Sequence, residues 1–305
     1  MIDQISIYLP GMHKPSNVKI KWPGMYWTGY IENEPVRLNQ QHDKLKITVS
    51  LPKLLQGENM TVISRKQVQE AVLKLESVTG LELSNAVVRT IEIGITVNVK
   101  KTPGEYFYLC GDHSRLNRHL ISKPGKFETV LYTTTTGKYS FQLYDKIAQG
   151  KSEKKQMSIP EIFQDQNVLR LEYKIKKQAG IKSKFDKDLF VHELYEPYIY
   201  KRLKNLFHAF YLAIPKTGRG VFINLEMPMT PKDFEKAWAF QYRQLYPDAV
   251  RQSVILAKSK GYLDRKGYHR LRAILKTDNL GGVRSLRNEL IAELDSFVSN
   301  WVKTG

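Results

Sequence analysis

Three segments of the chain alternate apolar and polar side chains with a period of two, which is typical of β-strands with one buried face. These segments are residues 91–99, 139–143 and 169–175. Their polar positions share the face opposite the apolar one, and Glu92, Tyr144 and Glu172 belong to that polar set. If the three strands are neighbours in one sheet, these side chains converge on a single open face.

Shorter apolar runs separated by Gly, Pro and Asn fill the first 60 residues, a pattern that predicts strands and turns. The runs cover residues 5–9, 18–22, 25–31 and 45–51. One helix follows them. Ser64 and Gln67 have the spacing of a capping box, and Gly80 ends the helical apolar repeat that comes after it.

Beyond residue 186 the apolar spacing becomes helical. A short helix is predicted over residues 189–194, and another begins near Pro197 and carries an apolar stripe over residues 203–210. Thr230, followed by Pro and an acidic residue, indicates the start of a further helix. Helices then continue towards the end of the chain.

The pattern divides the chain into three parts. A strand-rich domain covers residues 1–215, a connector with a short strand at 221–225 covers residues 216–229, and a basic helical domain covers residues 230–305. The predicted fold class is α+β, with an antiparallel sheet, helices packed on one of its faces and an all-helical C-terminal module.

Composition adds a strong positive charge. The 305 residues carry a formal charge of +18, and 42% of them are hydrophobic, enough for a buried core. No run is long and apolar enough for a membrane span, the N-terminal stretch lacks signal-peptide character, and the single Cys110 excludes a disulfide framework. We therefore expect a globular protein of the cytoplasm whose partner is a polyanion.

Several familiar chemistries lack their motifs. The sequence has no GxxxxGK[ST] loop, no G-x-S-x-G elbow and no HExxH pair. His269 and Arg272 match the HxxR of tyrosine recombinases, but no tyrosine follows Tyr268 to act as their nucleophile. ATP-driven, serine-hydrolase and HExxH zinc chemistry are therefore unsupported.

The remaining candidate is a tyrosine opposite two carboxylates. A phenol attacks a phosphodiester poorly unless a nearby cation favours the phenolate. Glu92 and Glu172 offer the hard oxygen ligands that Mg²⁺ or Mn²⁺ prefers, and Lys146 follows Tyr144 by two residues with a further positive charge. The alternative interpretation is that both glutamates are solvent-facing and paired with basic neighbours, and that Tyr144 is a strand-end aromatic.

Five segments, in the same order, resemble the filamentous-phage gene II replication protein and related phage and plasmid initiators of rolling-circle replication, within the wider HUH-related endonucleases. They are MIDQISIYLP at the start, LKITVSLPKLLQGEN from residue 45, TIE ending at Glu92, LYDK containing Tyr144, and VLRLEYKIK containing Glu172. A tyrosine-rich stretch with Tyr195, Tyr198 and Tyr200 is similar to a helix of bacterial relatives. The resemblance covers about residues 1–215 and is fainter beyond.

The resemblance implies a nicking and rejoining endonuclease with a Rep-like antiparallel sheet. Tyr144 would be the nucleophile that forms a 5′-phosphotyrosine link, Lys146 would assist it, and Glu92 and Glu172 would hold Mg²⁺ or Mn²⁺. Tyr195, Tyr198 and Tyr200 are the alternative nucleophiles. The family commonly has Asp in place of Glu92, and this chain has no His-hydrophobic-His metal motif, so the expected ligands are carboxylates.

The expected partner is single-stranded or melted origin DNA in a bacterial cytoplasm, together with a host polymerase and helicase. The predicted backbone contacts are Arg170, Lys174, Lys176 and Lys177. The C-terminal module would read duplex DNA or mediate self-association. The rival functions are a non-catalytic DNA-binding protein on the same fold and a conjugative relaxase.

Overall fold

The computed structural model describes residues 1–13, 15, 18–22, 27–111, 116–121, 128–152, 159–216, 247–269 and 289–304. Within them, ten strands form a single antiparallel sheet. The strands are β1 Ile2–Pro10, β2 Val18–Trp22, β3 Thr28–Ile31, β4 Val36–Gln41, β5 Lys44–Ser50, β6 Val87–Val99, β7 Leu116–Ile121, β8 Thr129–Thr134, β9 Tyr139–Asp145 and β10 Asn167–Ile175. Their order across the sheet is β2-β3-β4-β5-β1-β6-β10-β9-β8-β7.

The described residues also form eight helices. They are α1 Leu51–Gln56, α2 Arg65–Thr79, α3 Pro103–Phe107, α4 Lys146–Ser152, α5 Gln178–Phe185, α6 Pro197–Ala213, α7 Pro247–Ser259 and α8 Glu289–Lys303. Short 3₁₀ helices cover Glu161–Phe163 and Val191–Tyr195. The fold is therefore α+β with an antiparallel sheet, as the sequence predicts.

Local sequence signals locate the helix ends correctly. The Ser64 hydroxyl accepts from the backbone N–H of Gln67, and the Gln67 side chain accepts from the Ser64 N–H at 2.8 Å. Gly80 ends α2 in the left-handed conformation with φ 67°, which glycine adopts without a Cβ clash. The predicted helix over 189–194 is a 3₁₀ helix, Val191–Tyr195. Leu51, the last residue of the predicted strand run 45–51, is instead the first residue of α1.

One face of the sheet carries the main core. The Phe141 ring of β9 packs on Phe207 and Phe210 of α6, and Tyr173 of β10 packs on Phe210. Helices α2 and α8 add Leu75 and other residues to the same core. The apolar positions that alternate along β6, β9 and β10 thus face these helices, which fixes their polar positions on the opposite face.

A small apolar cluster covers part of that opposite face. Met60, Phe163 and Val168 are buried together, with Ile147 of α4 and Ile159 packed against them. We call this cluster the cap. Val168 lies on β10 two residues before Arg170 and four before Glu172, so the cap lies at one end of the polar face. The polar side chains of Arg170 and Glu172 next to it are buried although they lie away from the main core.

The C-terminal tail is helical where it is described. Helix α8 packs against α6, where the Tyr211 hydroxyl donates to Asp295 Oδ1 at 2.6 Å, and Leu294 and Val298 enter the main core. The predicted strand at 221–225 and helix start at Thr230 lie outside the described residues. None of the described helices combines the length and apolar character that a membrane crossing needs.

Candidate metal and tyrosine site

Strand order brings the three predicted side chains together. Strand β10 lies between β6 and β9, so Glu172 pairs with Gly94 on one side and Gln142 on the other. Lys174 pairs with Glu92 in the same ladder. Because paired residues of antiparallel strands point to the same face, the polar positions of three separate strands form one continuous patch.

Three carboxylates meet in this patch. Asp3, Glu92 and Glu172 each offer one carboxylate oxygen, and these oxygens lie within 4.8 Å of one another. We call the three residues the acidic cluster. Hard oxygen ligands at this spacing suit Mg²⁺ or Mn²⁺, so the cluster could bind a divalent metal ion.

Sequence analysis does not identify Asp3 as a site residue, because the side chains of its strand do not alternate regularly between the two faces of the sheet. A strict period of two puts Asp3 on the face of Ile5 and Ile7, which is the main-core face. The register of β1 against β6 shifts between Ile2 and Gln4, so β1 has one extra residue, Asp3, at this point. This irregularity turns the Asp3 side chain to the polar face. Ser50 Oγ donates to Asp3 Oδ1 there at 3.1 Å.

Arg170 links two members of the acidic cluster. Its Nε donates to Glu172 Oε1 at 3.1 Å, its Nη2 donates to Asp3, and its Nη1 donates to Thr96 Oγ1 at 2.7 Å. Its side chain is 2% exposed. The predicted role of Arg170 as a DNA backbone contact does not fit this position, because the cap and its neighbours bury the guanidinium and carboxylates of the protein already engage it.

Gly94 makes the position of Arg170 achievable. A Cβ on Gly94 would lie 2.2 Å from Nη2 of Arg170 and 2.6 Å from Cζ, far inside van der Waals contact. The guanidinium thus lies directly over the glycine of the neighbouring strand. A glycine in the middle of a strand, otherwise unfavourable, is explained by this close approach.

Tyr144 is hydrogen-bonded to the acidic cluster. Its hydroxyl donates to Glu172 Oε1 at 2.6 Å, and Gln142 donates to the other oxygen of Glu172. Tyr144 and Glu172 are each 4% exposed. The expectation of a single open face is therefore corrected at this end of the patch, because the cap adds a layer that periodicity along one strand cannot indicate.

Burial and charge set the protonation of these groups. Burial, and then the charge of Glu172, raises the pKa of Tyr144 well above its ordinary value. Burial also acts to raise the pKa of Glu172, but Arg170 and the hydrogen bond from Tyr144 outweigh it and the net pKa is lowered. Burial, and then Glu172, raises the pKa of Glu92. The structure thus combines an ionised Glu172 with a neutral phenol.

Lys146 lies next to Tyr144, as its position two residues along the chain suggests. Its side chain is 1% exposed, and its Nζ lies 5.7 Å from the centroid of the Tyr144 ring. Burial, and then the charge of Arg170, lowers the pKa of Lys146 to about 8. It donates to Gln149 Oε1 at 2.8 Å.

The predicted lysines lie at the end of β10 and just beyond it, away from the cap. Lys174 forms an ion pair with Glu92, and both Lys174 and Lys176 line a pocket of about 180 Å³ that also borders Glu172 and Gln142. We call it the inner pocket. Lys177 is exposed. The open part of the polar face therefore begins at Glu172 and carries positive charge.

The alternative tyrosines lie elsewhere. Tyr200 and Tyr198 belong to α6, on the main-core side of the sheet, and Tyr195 ends the preceding 3₁₀ helix. The Tyr200 hydroxyl donates to the carbonyl of Ile63 at 3.1 Å, while Tyr198 is 67% exposed. Within the described residues, the fold brings Tyr144, and not these three, to the acidic cluster.

No family model and no curated protein matches this chain in sequence. In structure, the chain is similar to a rolling-circle replication initiator protein from Geobacillus stearothermophilus, with a TM-score of 0.39 and 9% sequence identity. The match covers 80% of this chain and 96% of that one. A similarity at this level identifies neither residues nor an activity.

Proposed function

We propose that this protein is a metal-dependent DNA nicking and rejoining enzyme that initiates rolling-circle replication, with Tyr144 as its nucleophile. One observation carries the proposal: the Tyr144 hydroxyl lies 2.6 Å from an oxygen of Glu172, which is itself part of a cluster of three carboxylates. The net charge of +18 and the order of motifs along residues 1–215 support DNA as the substrate.

Asp3, Glu92 and Glu172 would hold the metal ion. Three carboxylate oxygens within 4.8 Å fit a hard divalent cation. Bound there, the cation supplies polarisation of the phosphate and neutralisation of the charge that develops on it. Lys174 now pairs with Glu92, so metal binding requires Lys174 to move towards solvent, where its side chain is already partly exposed.

The protein's own groups would handle the proton. The Tyr144 phenol already donates to Glu172 Oε1, so Glu172 can accept the proton as the Tyr144 oxygen bonds to phosphorus. The bond from phosphorus to the 3′ oxygen then breaks, and that oxygen takes up a proton from solvent, to which Glu172 releases the proton that it received from Tyr144. The protein is left with a 5′-phosphotyrosine, and attack by a 3′-hydroxyl reverses the step without ATP.

Arg170 and Lys146 would stabilise the charge in this exchange. Arg170 holds Glu172 and Asp3 in place through fixed hydrogen bonds, and the ammonium of Lys146 lies beside the ring that becomes a phenolate. Tyr144 is 4% exposed. DNA entering through the inner pocket therefore has to displace part of the cap to reach the hydroxyl.

Formation of a covalent DNA–protein link tests the proposal. The protein is mixed with Mn²⁺, labelled single-stranded oligonucleotides and supercoiled DNA of its parent element, and the products are run on a denaturing gel. We expect a labelled band retarded by the mass of the protein. Tyr144→Phe should abolish this band, whereas Tyr195→Phe, Tyr198→Phe and Tyr200→Phe should retain it. Loss of the band only in one of those three would assign the nucleophile there.

A non-catalytic DNA-binding protein is the second candidate. It is favoured by the internal pairing of the acidic cluster, since Arg170 contacts Asp3 and Glu172 and Lys174 contacts Glu92. Such a network also stabilises a buried polar site with no reaction. Affinity for DNA that is unchanged by EDTA or Mn²⁺, with intact DNA under all metals, would establish this second function.

We retain the division into a catalytic unit over residues 1–215 and a helical unit over residues 230–305 as a proposal. The packing of α8 on α6 ties the last helix to the catalytic unit. A role in reading duplex DNA or in self-association would then belong to the rest of the tail. Sedimentation with and without duplex DNA separates these two roles.

A further inference from the structure

A second pocket lies on the polar face of the sheet, beyond the end of the inner pocket. It has a volume of about 440 Å³, and its walls include Tyr8, Lys46, Arg89, Lys176, Lys177 and Gln178. We call it the basic pocket. Four of its lining residues are cationic, and none of the described residues that line it is acidic.

The guanidinium of Arg89 is held in a fixed position at this pocket. It lies over the Tyr8 ring, with Cζ 4.6 Å from the ring centroid, and it donates to the side chain of Gln178. The register of β1 against β6 shifts between Ser6 and Ile7, which leaves Arg89 as the extra residue on β6. An arginine fixed in this way loses little side-chain entropy when its remaining N–H groups bind an oxyanion.

Helix α5 adds backbone donors at the same wall. It begins at Gln178, one of the lining residues, and no described side chain caps its first turn at Lys177. The first N–H groups of a helix lack intrahelical partners and carry partial positive charge. The N–H of Gly180 donates to the carbonyl of Lys177 at 2.8 Å, so the N–H groups of Gln178 and Ala179, which both line the pocket, are the ones that add to the four cationic side chains. The chemistry of the pocket therefore favours a phosphate over a neutral ligand.

The basic pocket adjoins the inner pocket, which borders the acidic cluster. Lys176 lines both the basic pocket and the inner pocket, and Glu172 lines the inner pocket. Lys176 directly follows the last residue of β10, four residues after Glu172, and four residues of extended chain span about 13 Å. A single nucleic-acid strand lying along this face would therefore pass from the acidic cluster to the basic pocket.

We propose that the basic pocket binds a backbone phosphate of the DNA strand a few nucleotides from the phosphate that is cleaved. This inference rests on the proposed function, since it assumes that a strand occupies the acidic cluster. Arg89, Lys46, Lys176 and Lys177 supply the charged donors to that phosphate. The pocket anchors the strand in register and carries no base specificity.

Binding in EDTA tests the pocket separately from catalysis. A fluorescent oligothymidylate is titrated with the full chain at several NaCl concentrations, for the unsubstituted protein and for Arg89→Gln and Lys46→Gln. We expect each substitution to weaken binding about fivefold and to lower the salt slope by about 0.7, the value for one phosphate contact on a single strand. Arg89→Lys, which keeps the charge, should retain most of the salt slope.

Lys66→Gln is the matched control. Lys66 is an exposed residue of α2, on the main-core side of the sheet, so its substitution removes one positive charge without touching the polar face. Binding that falls equally in Lys66→Gln and Arg89→Gln would overturn the proposal, because only overall charge would then matter. Pyrophosphate competing as well against Arg89→Gln as against the unsubstituted protein would also overturn it.

The result of the binding titration is independent of the result of the nicking assay. Suppose that the unsubstituted protein nicks DNA, and that Arg89→Gln and Lys46→Gln bind DNA as tightly as it does. The proposal that the basic pocket binds a phosphate is then wrong, and the proposed function stands. If both substitutions weaken binding and lower the salt slope but no nicking occurs, the pocket stands and the proposed function fails. Thermal unfolding of each variant confirms that it is folded.

Discussion

At the scale of single residues, one buried network decides the chemistry of the polar face. Arg170 contacts Asp3, Glu172 and Thr96 at once, and it can do so only because Gly94 has no side chain. A buried ion pair adds little stability over an apolar substitute, but breaking one by removing or displacing a partner is strongly destabilising. The glycine and the arginine therefore act as one unit.

Gly94→Ala should displace the Arg170 guanidinium and leave two carboxylates without their partner. We expect the free energy of unfolding to fall by about 3 kcal/mol, the range found when a buried ion pair is broken. Urea denaturation measures it. Gly104→Ala is the matched control, because the nearest atom to its Cβ lies 3.6 Å away. Equal stability of the two variants would contradict the close approach at Gly94.

Lys146 should make stability depend on pH. Burial lowers its pKa from 10.5 to about 8, so between pH 8 and 10.5 the unfolded chain binds a proton that the folded chain does not. Stability therefore rises with pH in this window, and charging Lys146 costs the protein roughly 3 kcal/mol below it. In Lys146→Met this rise should disappear. Urea denaturation of both proteins at pH 7, 8, 9 and 10 measures the difference.

Lys151→Met controls for the general titration of lysines, since Lys151 is an exposed residue of the same helix α4. Its stability should stay parallel to that of the unsubstituted protein across the range. The interpretation of Lys146 fails if Lys146→Met also stays parallel, because its ammonium would then be as well solvated in the folded protein as in the unfolded chain.

At the scale of elements, the contact between α6 and α8 joins the end of the chain to the sheet domain. The Tyr211 hydroxyl donates to Asp295 at 2.6 Å, and Lys204 Nζ donates to the carbonyl of Trp301 at 2.9 Å. Leu294 and Val298 fill the apolar part of the same contact. Helix α8 is thus held by both polar and apolar interactions.

Tyr211→Phe should loosen this contact without creating a cavity. Removal of the hydroxyl leaves Asp295 with one partner fewer, and we expect a loss of about 1 to 2 kcal/mol. Tyr108→Phe, at a side chain that is 51% exposed, should change stability by less than about 0.5 kcal/mol. Urea denaturation measures both variants, and similar effects in the two would show that the hydrogen bond from Tyr211 to Asp295 adds nothing to stability.

At the scale of the whole molecule, the two faces of the sheet have different roles. Helices cover one face with the main core, and the other carries the acidic cluster, the inner pocket and the basic pocket in a row. A positively charged chain with one polar sheet face can attract a polyanion over distance and direct it along that face. Under the proposed function, a metal ion held at one end of the row would link the stability of the protein to its activity.

Mn²⁺ should stabilise the folded protein, because a ligand that binds only the folded state raises the free energy of unfolding, by about 2.7 kcal/mol at one hundred times its dissociation constant. We expect the midpoint of thermal unfolding to rise with Mn²⁺ in the unsubstituted protein and in Glu70→Gln, an exposed acid of α2. The rise should vanish in Glu172→Gln and Asp3→Asn. The same rise in all four proteins would show that Mn²⁺ does not bind at the acidic cluster.

The sequence by itself determined which side chains share a face. The period of two along β6, β9 and β10 assigned Glu92, Glu172 and Tyr144 to the polar face, and local rules located α2 between Ser64 and Gly80. These predictions succeeded because periodicity and helix capping depend on residues near one another in the chain.

Only the tertiary structure decided which of those residues meet and which are buried. Strand order placed β10 between β6 and β9, and register shifts directed Asp3 to the acidic cluster and left Arg89 at the basic pocket. Packing of segments far apart in the chain buried Arg170 and Tyr144. Strand neighbours, register and coverage depend on contacts between segments far apart in the chain. The local alternation of apolar and polar residues is compatible with many such arrangements, and packing selects one of them.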